Sequence, residues 1–431
     1  MPARSPRSAV RLRLISAVVA VAALADIGVG VAVLTDRPAA GTAPAPASVT
    51  DDSAELADAR RLLEARAAAV REHDRAAFMA DVLPGRGPRG TQGRLYDNLK
   101  KLPFHTFAYT LTDTSGPPPG AAEWLVRVRL RYGLRGFDAA DVSRTTYVRL
   151  AKYQGRWLIA GQQTDGPGDA EIWDQGRIDV VRGGRSLVIG TGTSRERLRD
   201  LARRTDRAAE IVDEIWGRSW GRRAVVLVPS DTSQAQRLAD GEGELGQIAA
   251  LQTVAAGEAD TPPPGTGDRV FVVPPNFFGK LTPEGRAVVL THELTHVADR
   301  ESISGNMPIW LVEGFADYVG YHAVPPAPPA EVAQELAREV RKGEVAGRLP
   351  GEEDFSATAR RLPQAYEDAW LACRMIAQRH GRAKLLALYR AAGRGTGTTE
   401  QIEERALREV LGVSTEEFTA QWRAYVRETL G

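Results

Sequence analysis

The sequence contains a single cysteine, Cys373, among its 431 residues. This excludes an intrachain disulfide framework and a metal site built from several cysteines. An excess of charge of one sign is also missing, because 56 lysine and arginine residues balance 55 aspartate and glutamate residues. No basic run is interleaved with aromatic side chains, so the composition gives no indication of nucleic-acid binding. The length suits two or three domains.

One long apolar run is present, over residues 14–35, and it is about long enough to span a bilayer. Asp26 interrupts the run, and a carboxylate inside a membrane is costly. Four arginines precede it: Arg4, Arg7, Arg11 and Arg13. By the positive-inside rule they keep residues 1–13 in the cytoplasm. These features predict a single-pass transmembrane signal anchor in the cell membrane, with the bulk of the chain outside the cytoplasm. The alternative is a signal peptide cleaved near Ala40, which would give a secreted protein.

Residues 36–50 are rich in proline and alanine and predict a semi-extended linker. Residues 51–170 begin with apolar residues at helical spacing: Leu56, Ala59, Leu63, Ala67 and Val70. Strand-like segments follow at residues 104–112, 123–132, 144–153 and 156–162, separated by turn residues. This order predicts an α+β domain with an antiparallel meander. Its layout resembles the NTF2-like cone fold.

The most informative stretch of the chain is the hexapeptide T-H-E-L-T-H at residues 291–296, which has the pattern H-E-x-x-H. Residues four apart lie on the same face of a helix. His292 and His296 would therefore direct two imidazoles toward one point, at a spacing that suits a single Zn2+ ion. Glu293 would reach a water bound to that ion and take its proton.

A second group of candidate residues lies in the segment W-L-V-E-G-F-A-D-Y at residues 310–318, and sixteen residues separate His296 from Glu313. A helix in this segment would place Glu313 and Asp317, which are four apart, on one face. Glu313 would then be a third metal ligand. Asp317 would hold a ligand histidine from behind.

These two motifs together resemble the gluzincin metallopeptidases, the thermolysin-like clan, and most closely the bacterial branch called peptidase MA-like. The metzincin pattern is absent, because Ser302 rather than histidine stands six residues after His296. The resemblance implies a zinc centre held by His292, His296 and Glu313, with Glu293 as the general base. It also implies that Asp317 accepts a hydrogen bond from His292.

Some gluzincins use a tyrosine from a later helix to stabilise the oxyanion that forms during the reaction. Tyr366, near the start of a predicted helix over residues 364–380, is the candidate here. A tyrosine of the hydrophobic core is the alternative reading of Tyr366, and His322 is a weaker candidate for the same role.

The resemblance assigns residues 171–431 to a zincin-like catalytic domain with a small mixed sheet, the H-E-x-x-H helix and a helical C-terminal lobe. A hairpin at residues 177–190, a long helix over 194–216 and strands near 224–228, 247–254 and 269–273 agree with that order. The strand over 247–254 is the candidate edge strand for pairing with an extended substrate. Helices are predicted over 330–341, 383–391, 399–411 and 415–429.

The sequence therefore predicts a membrane-anchored extracytoplasmic zinc metallopeptidase that hydrolyses peptide or protein substrates in the cell envelope. The alternative is an extracytoplasmic binding or sensing protein, in which the middle domain recognises a ligand and the zinc domain is a degenerate scaffold. An intact set of three ligands together with Glu293 favours the enzyme.

Overall fold

The computed structural model describes residues 54–163, 169–238, 245, 248–255, 265–356 and 358–431. Within these ranges the chain is a mixed α+β protein with two small sheets and a helical C-terminal region, which confirms the predicted fold class at that level. The NTF2-like assignment of the first sheet and the domain boundary at residue 170 stay predictions.

The N-terminal unit packs three helices against an antiparallel four-stranded sheet. The helices are α1 (Ala54–Arg71), α2 (Arg75–Ala80) and α3 (Arg86–Leu99), and the strands are β1 (Phe104–Leu111), β2 (Glu123–Leu134), β3 (Val142–Tyr153) and β4 (Arg156–Gln163). The strands pair in chain order, as a meander. Buried and exposed residues alternate along most of β2, as expected for a strand with one face on the core.

Helix α3 is absent from the sequence-based prediction, because Gly87, Gly90 and Gly93 lower its intrinsic helix propensity. Tertiary contacts offset that cost. The helix buries Leu95, Tyr96 and Leu99 in the core beneath the meander.

The second sheet is mixed and has five strands in the order β5-β6-β7-β9-β8. Their bounds are β5 (Ile178–Arg182), β6 (Ser186–Thr191), β7 (Ala224–Val228), β8 (Ala250–Val254) and β9 (Asp268–Val272). Strands β6, β7 and β9 run parallel, whereas β5 and β8 pair antiparallel at the two edges. The helix α4 (Arg195–Ile215) connects β6 to β7 and packs on β5 and β6. Strand β8 is thus an edge strand, as the sequence predicted.

The remaining helices follow β7 in the chain, and most of them form the C-terminal region. They are α5 (Thr232–Leu238), α6 (Pro274–Gly279), α7 (Pro283–Asp299), α8 (Ile309–Gly320), α9 (Pro329–Val332), α10 (Gln334–Arg341), α11 (Leu362–His380), α12 (Arg382–Gly393), α13 (Thr399–Leu411) and α14 (Thr415–Leu430). The single helix predicted over 330–341 is interrupted at Ala333. Glu367 of α11 accepts the backbone N–H groups of Glu335 and Leu336, so a tertiary contact caps α10 and favours the break.

The larger of two hydrophobic clusters among the described residues runs from the meander through the second sheet to the C-terminal helices. It includes Tyr132 and Leu134 of the meander, Trp173 and Ile178 beyond it, and most of α8 and α11. The core therefore continues across residue 170, where the sequence predicts a domain boundary.

The predicted location as a single-pass membrane protein requires correction. In the part of the chain that the structure describes, no helix combines the length and the apolar character needed to cross a bilayer. Residues 1–13, 14–35 and 36–50, from which the anchor and linker were predicted, lie outside the described residues. We therefore withdraw the membrane location.

Candidate metal centre

Helix α7 carries the H-E-x-x-H motif and lies between β8, α4 and α8. It begins with Pro283 at its first position, and the side chain of Thr282 caps it by accepting the N–H of Gly285 at 3.1 Å. All residues from Val288 to His296 are buried. The motif is thus held on a helix that is capped at its start and enclosed from Val288 to His296.

The three predicted ligands converge at one point. Nε2 of His292 lies 3.0 Å from Nε2 of His296 and 3.3 Å from Oε2 of Glu313. Nε2 of His296 lies 3.8 Å from the same carboxylate oxygen. Among the described residues, these are the only three His, Cys, Asp or Glu side chains that form such a group, with ligand atoms within 4.8 Å of one another.

The chemistry of this donor set fits a zinc ion. Two imidazole nitrogens and one carboxylate oxygen are the ligand types of catalytic zinc sites, which leave a further position open. His292 and Glu313 are fully buried, and neither oxygen of Glu313 makes a regular hydrogen bond among the described residues. Buried carboxylate oxygens without hydrogen bonds are rare and call for a cation. The residues present therefore suit Zn2+.

Electrostatic coupling within the group is strong. Burial alone would raise the pKa of Glu313, but His296 and His292 outweigh it and lower that pKa to about 2. Burial alone would lower the pKa of His292, but Asp317 and Glu313 raise it well above its ordinary value. The buried carboxylates thus favour positive charge at this point.

Asp317 contacts the first ligand from behind. Its Oδ1 lies 2.8 Å from Nδ1 of His292, and both side chains are buried. An Nδ1–H that donates to this carboxylate leaves the lone pair of Nε2 facing Glu313 and His296. The structure therefore brings Asp317 to the histidine that the family resemblance indicated.

Glu293 lies on the same helix, fully buried and directed toward the edge strand β8. Burial raises the pKa of its carboxyl to about 7, although the neighbouring His292 and His296 lower it in part. Its position next to the ligand cluster and an edge strand suits a proton acceptor at the place where a substrate would lie.

Two glycines allow the helices around the cluster to approach closely. A Cβ on Gly314, next to Glu313, would lie 2.3 Å from the carbonyl oxygen of Ala369 on α11. A Cβ on Gly320 would lie 3.0 Å from the carbonyl oxygen of Val288 on α7. The close packing of α8 against α7 and α11 brings Glu313 and Asp317 to the histidines.

The two oxyanion candidates lie in different surroundings. Tyr366 is buried on α11, with its ring centroid 6.3 Å from that of His292 and 5.0 Å from that of Phe355. His322 is exposed and follows α8, with Nδ1 2.7 Å from the carbonyl oxygen of Tyr318. Tyr366 is therefore the better placed of the two, and its role stays a prediction.

A further buried acid beside the cluster was not predicted from the sequence. Asp299 ends α7 three residues after His296, and its Oδ2 accepts the hydroxyl of Tyr389 at 2.7 Å. Burial raises the pKa of Asp299 to about 6, against the effect of His296. The i, i+3 spacing from a ligand histidine was the available signal, but Tyr389 could not be found from local pattern.

Comparisons with known proteins find distant structural similarity to solved zinc metallopeptidases. No protein-family model and no curated protein matches the chain. It is similar to the M1 zinc metallopeptidase from Deinococcus radiodurans, at 16% identity and a TM-score of 0.31, over 74% of this chain and 70% of that one. A two-domain M1 zinc metallopeptidase variant bound to L-arginine gives 12% identity and a TM-score of 0.32, over 74% and 71% of the two chains. At these TM-scores, function has to be inferred from the side chains described above.

Proposed function

We propose that this protein is a zinc-dependent metallopeptidase of the gluzincin type. The observation that carries the proposal is the convergence of His292, His296 and Glu313 at one buried point, with Glu293 on the same helix. Among the described residues three protein ligands meet there, which is the donor set of a catalytic rather than a structural zinc site.

Each residue of the site has its own role in the proposed hydrolysis. A zinc ion bound by these ligands would polarise a scissile carbonyl and increase the acidity of a water molecule. Glu293 takes a proton from the attacking water and delivers it to the leaving amine. Asp317 fixes the orientation and tautomer of His292. Tyr366 is the candidate hydrogen-bond donor to the developing oxyanion.

Strand β8 is the candidate site for an extended peptide substrate. It pairs with β9 on one side only, within the described residues, and it packs beside α7. A peptide added to this edge would gain main-chain hydrogen bonds and would pass near Glu293. This arrangement favours peptide or protein substrates over small molecules.

The test uses the full chain and four variants. Zinc content is measured by mass spectrometry after dialysis, and activity is measured on a proteome-derived peptide library. Glu293→Gln should keep one zinc per chain and lose peptide cleavage. The double variant with His292→Ala and His296→Ala should lose both the zinc and the cleavage. Tyr366→Phe should keep zinc and lower kcat by about a hundredfold if it stabilises the oxyanion.

The matched control is Glu301→Gln, which changes an exposed acid just beyond α7 and should leave zinc and cleavage unaltered. Full zinc occupancy in the double histidine variant would refute the metal assignment. Unchanged cleavage by Glu293→Gln would refute the assigned chemistry.

A further inference from the structure

An ion pair enclosed by protein joins the meander to the second sheet. Asp138 lies in the connection between β2 and β3, and Arg269 lies in β9. The pair is bidentate, with Nη1 to Oδ1 at 2.9 Å and Nη2 to Oδ2 at 3.0 Å. The side chain of Asp138 is 0% exposed and that of Arg269 is 3% exposed.

The same carboxylate also accepts two backbone N–H groups, one from each side of the junction. Leu134 at the end of β2 donates to Oδ2 at 2.9 Å, and Gly267 just before β9 donates to Oδ1 at 3.1 Å. Four donors therefore converge on Asp138, so its charge is both paired and fully hydrogen-bonded.

Two neighbouring hydrogen bonds extend the junction. The N–H of Ala139 donates to the carbonyl oxygen of Gly265, and the N–H of Ala140 donates to Oγ1 of Thr266, both at 3.0 Å. Thr266 is fully buried. The β2–β3 connection thus holds three consecutive residues, 265–267, at the entry to β9.

Residues 265–267 in turn position the end of the edge strand β8. The N–H of Ala255 donates to the carbonyl oxygen of Gly267 at 2.8 Å, and Thr253 of β8 pairs with Arg269 itself. Gly267 has a φ of +75°, and a Cβ there would lie 2.6 Å from the carbonyl oxygen of Ala255. Glycine is needed at this point because φ is positive and Ala255, the residue after β8, approaches so closely.

Further contacts connect this junction to helix α7, which carries the H-E-x-x-H motif. Oδ1 of Asp268 accepts Nε2 of Gln252 on β8 at 3.2 Å and lies 3.3 Å from Nε of Arg300, which follows α7. Gln252 also lies in the part of β8 next to Glu293. A continuous set of contacts therefore runs from the meander through β9 to the strand beside Glu293.

We infer that Asp138 is a positioning residue for substrate: the meander, through Asp138, sets the position of β8 relative to Glu293. The inference rests on the proposed function, in which a peptide pairs with β8. In this arrangement the N-terminal unit contributes to substrate binding without binding a ligand itself. Asp138 touches neither the candidate zinc ligands nor the reacting atoms, so its loss should act on KM for extended peptides and leave zinc affinity unaltered.

The experiment compares three full-chain variants with the wild type. Asp138→Asn removes the charge that Arg269 requires. Thr266→Val removes a neutral acceptor of the same junction while keeping the side-chain volume, and it serves as the milder variant if Asp138→Asn does not fold. Asp141→Asn is the matched control, because this acid belongs to the same connection but pairs with exposed Arg131. Hydrogen exchange, zinc affinity and the kinetics of a peptide taken from the cleaved library sequences are measured for each.

In Asp138→Asn the amides of β8 and β9 should exchange about tenfold faster, while those of α7 and α8 keep their protection. Zinc affinity should stay within about twofold, and KM should rise by about tenfold with kcat little changed. Thr266→Val should change exchange and KM in the same direction by a smaller factor. Asp141→Asn should match the wild type in all three.

Unaltered exchange in β8 would overturn the inference. So would exchange that rises evenly across the whole chain, because that result describes a purely structural ion pair. Faster exchange in β8 with an unaltered KM in an active enzyme would also overturn it. A wild-type protein that cleaves no peptide refutes the proposed function, and with it the substrate-binding role of Asp138. The exchange data would then still decide whether Asp138 positions β8.

Discussion

Asp317 Oδ1 lies 2.8 Å from His292 Nδ1, in a buried contact between helices α8 and α7. A hydrogen bond at this ring nitrogen determines the tautomer of the imidazole, and through it the availability of Nε2 for a metal. Asp317 follows Glu313 by one helical turn, so a single helix supplies a candidate ligand and the residue that orients another.

Replacing Asp317 with alanine should weaken zinc binding by about 10–100-fold, because the orientation and basicity of His292 are lost. The fold should persist, since the change removes no apolar contact of the core. Competition with a chromophoric chelator measures the affinity. Glu344→Ala, at an exposed position, is the control. Equal zinc affinity in the two variants would show that Asp317 does not orient His292.

Replacing Tyr389 with phenylalanine should destabilise the zinc-free protein by about 1–3 kcal/mol, because the buried carboxylate of Asp299 loses its hydrogen-bond donor. Urea unfolding measures the change. Adding Asp299→Asn should restore part of the loss, since position 299 then carries no buried charge. Tyr153→Phe, at a residue that is 42% exposed, is the control. Identical unfolding of both single variants would contradict the expectation.

Replacing Gly314 with alanine should destabilise the protein by about 2–3 kcal/mol, because the new methyl group has to push α8 away from the backbone of Ala369. Zinc affinity should fall as well, since Glu313 is the preceding residue. Gly90→Ala is the matched control: it lies in α3 with no atom within 4 Å of the added Cβ, and it should stabilise the helix by about 0.5–1 kcal/mol. If Gly314→Ala leaves the stability unchanged, helices α8 and α11 can move apart without cost.

Glu403 makes the stability of the C-terminal helices depend on pH. Its Oε1 accepts Nε1 of Trp310 at 3.1 Å, and burial raises its pKa from 4.5 to about 7. Because the folded-state pKa is the higher one, the unfolded chain loses its proton first as pH rises. The contribution of Glu403 to the free energy of unfolding is therefore fully present below about pH 4.5 and is lost progressively up to about pH 7.

Glu403→Gln keeps an acceptor for Trp310 and removes this titration. It should stabilise the protein by about 2 kcal/mol at pH 8 relative to the wild type, and by much less at pH 5. Urea unfolding at both pH values tests this, with Glu409→Gln at an exposed position of the same helix as the control. A gain of equal size at pH 5 and pH 8 would exclude titration of Glu403 as the cause.

The candidate site was largely predictable from sequence because its parts are local. The i, i+4 spacing of His292 and His296, and of Glu313 and Asp317, is a property of helical geometry that a short segment carries by itself. Most helices and strands were predictable for the same reason, as apolar residues recur with the period of each element. Helix α3 was not, because its glycines oppose helix formation and only its buried contacts favour it.

Contacts between distant segments were decided by tertiary structure alone. The Asp138–Arg269 pair joins residues 131 apart in the chain, and the Asp299–Tyr389 pair joins residues 90 apart. No periodicity relates such residues, since their meeting depends on how whole elements pack. The sequence by itself thus determined which side chains each helix of the site presents. Only the packing of α7, α8 and β8 decided that these side chains meet beside an edge strand, because the close approaches that bring them together are made between elements and not within them.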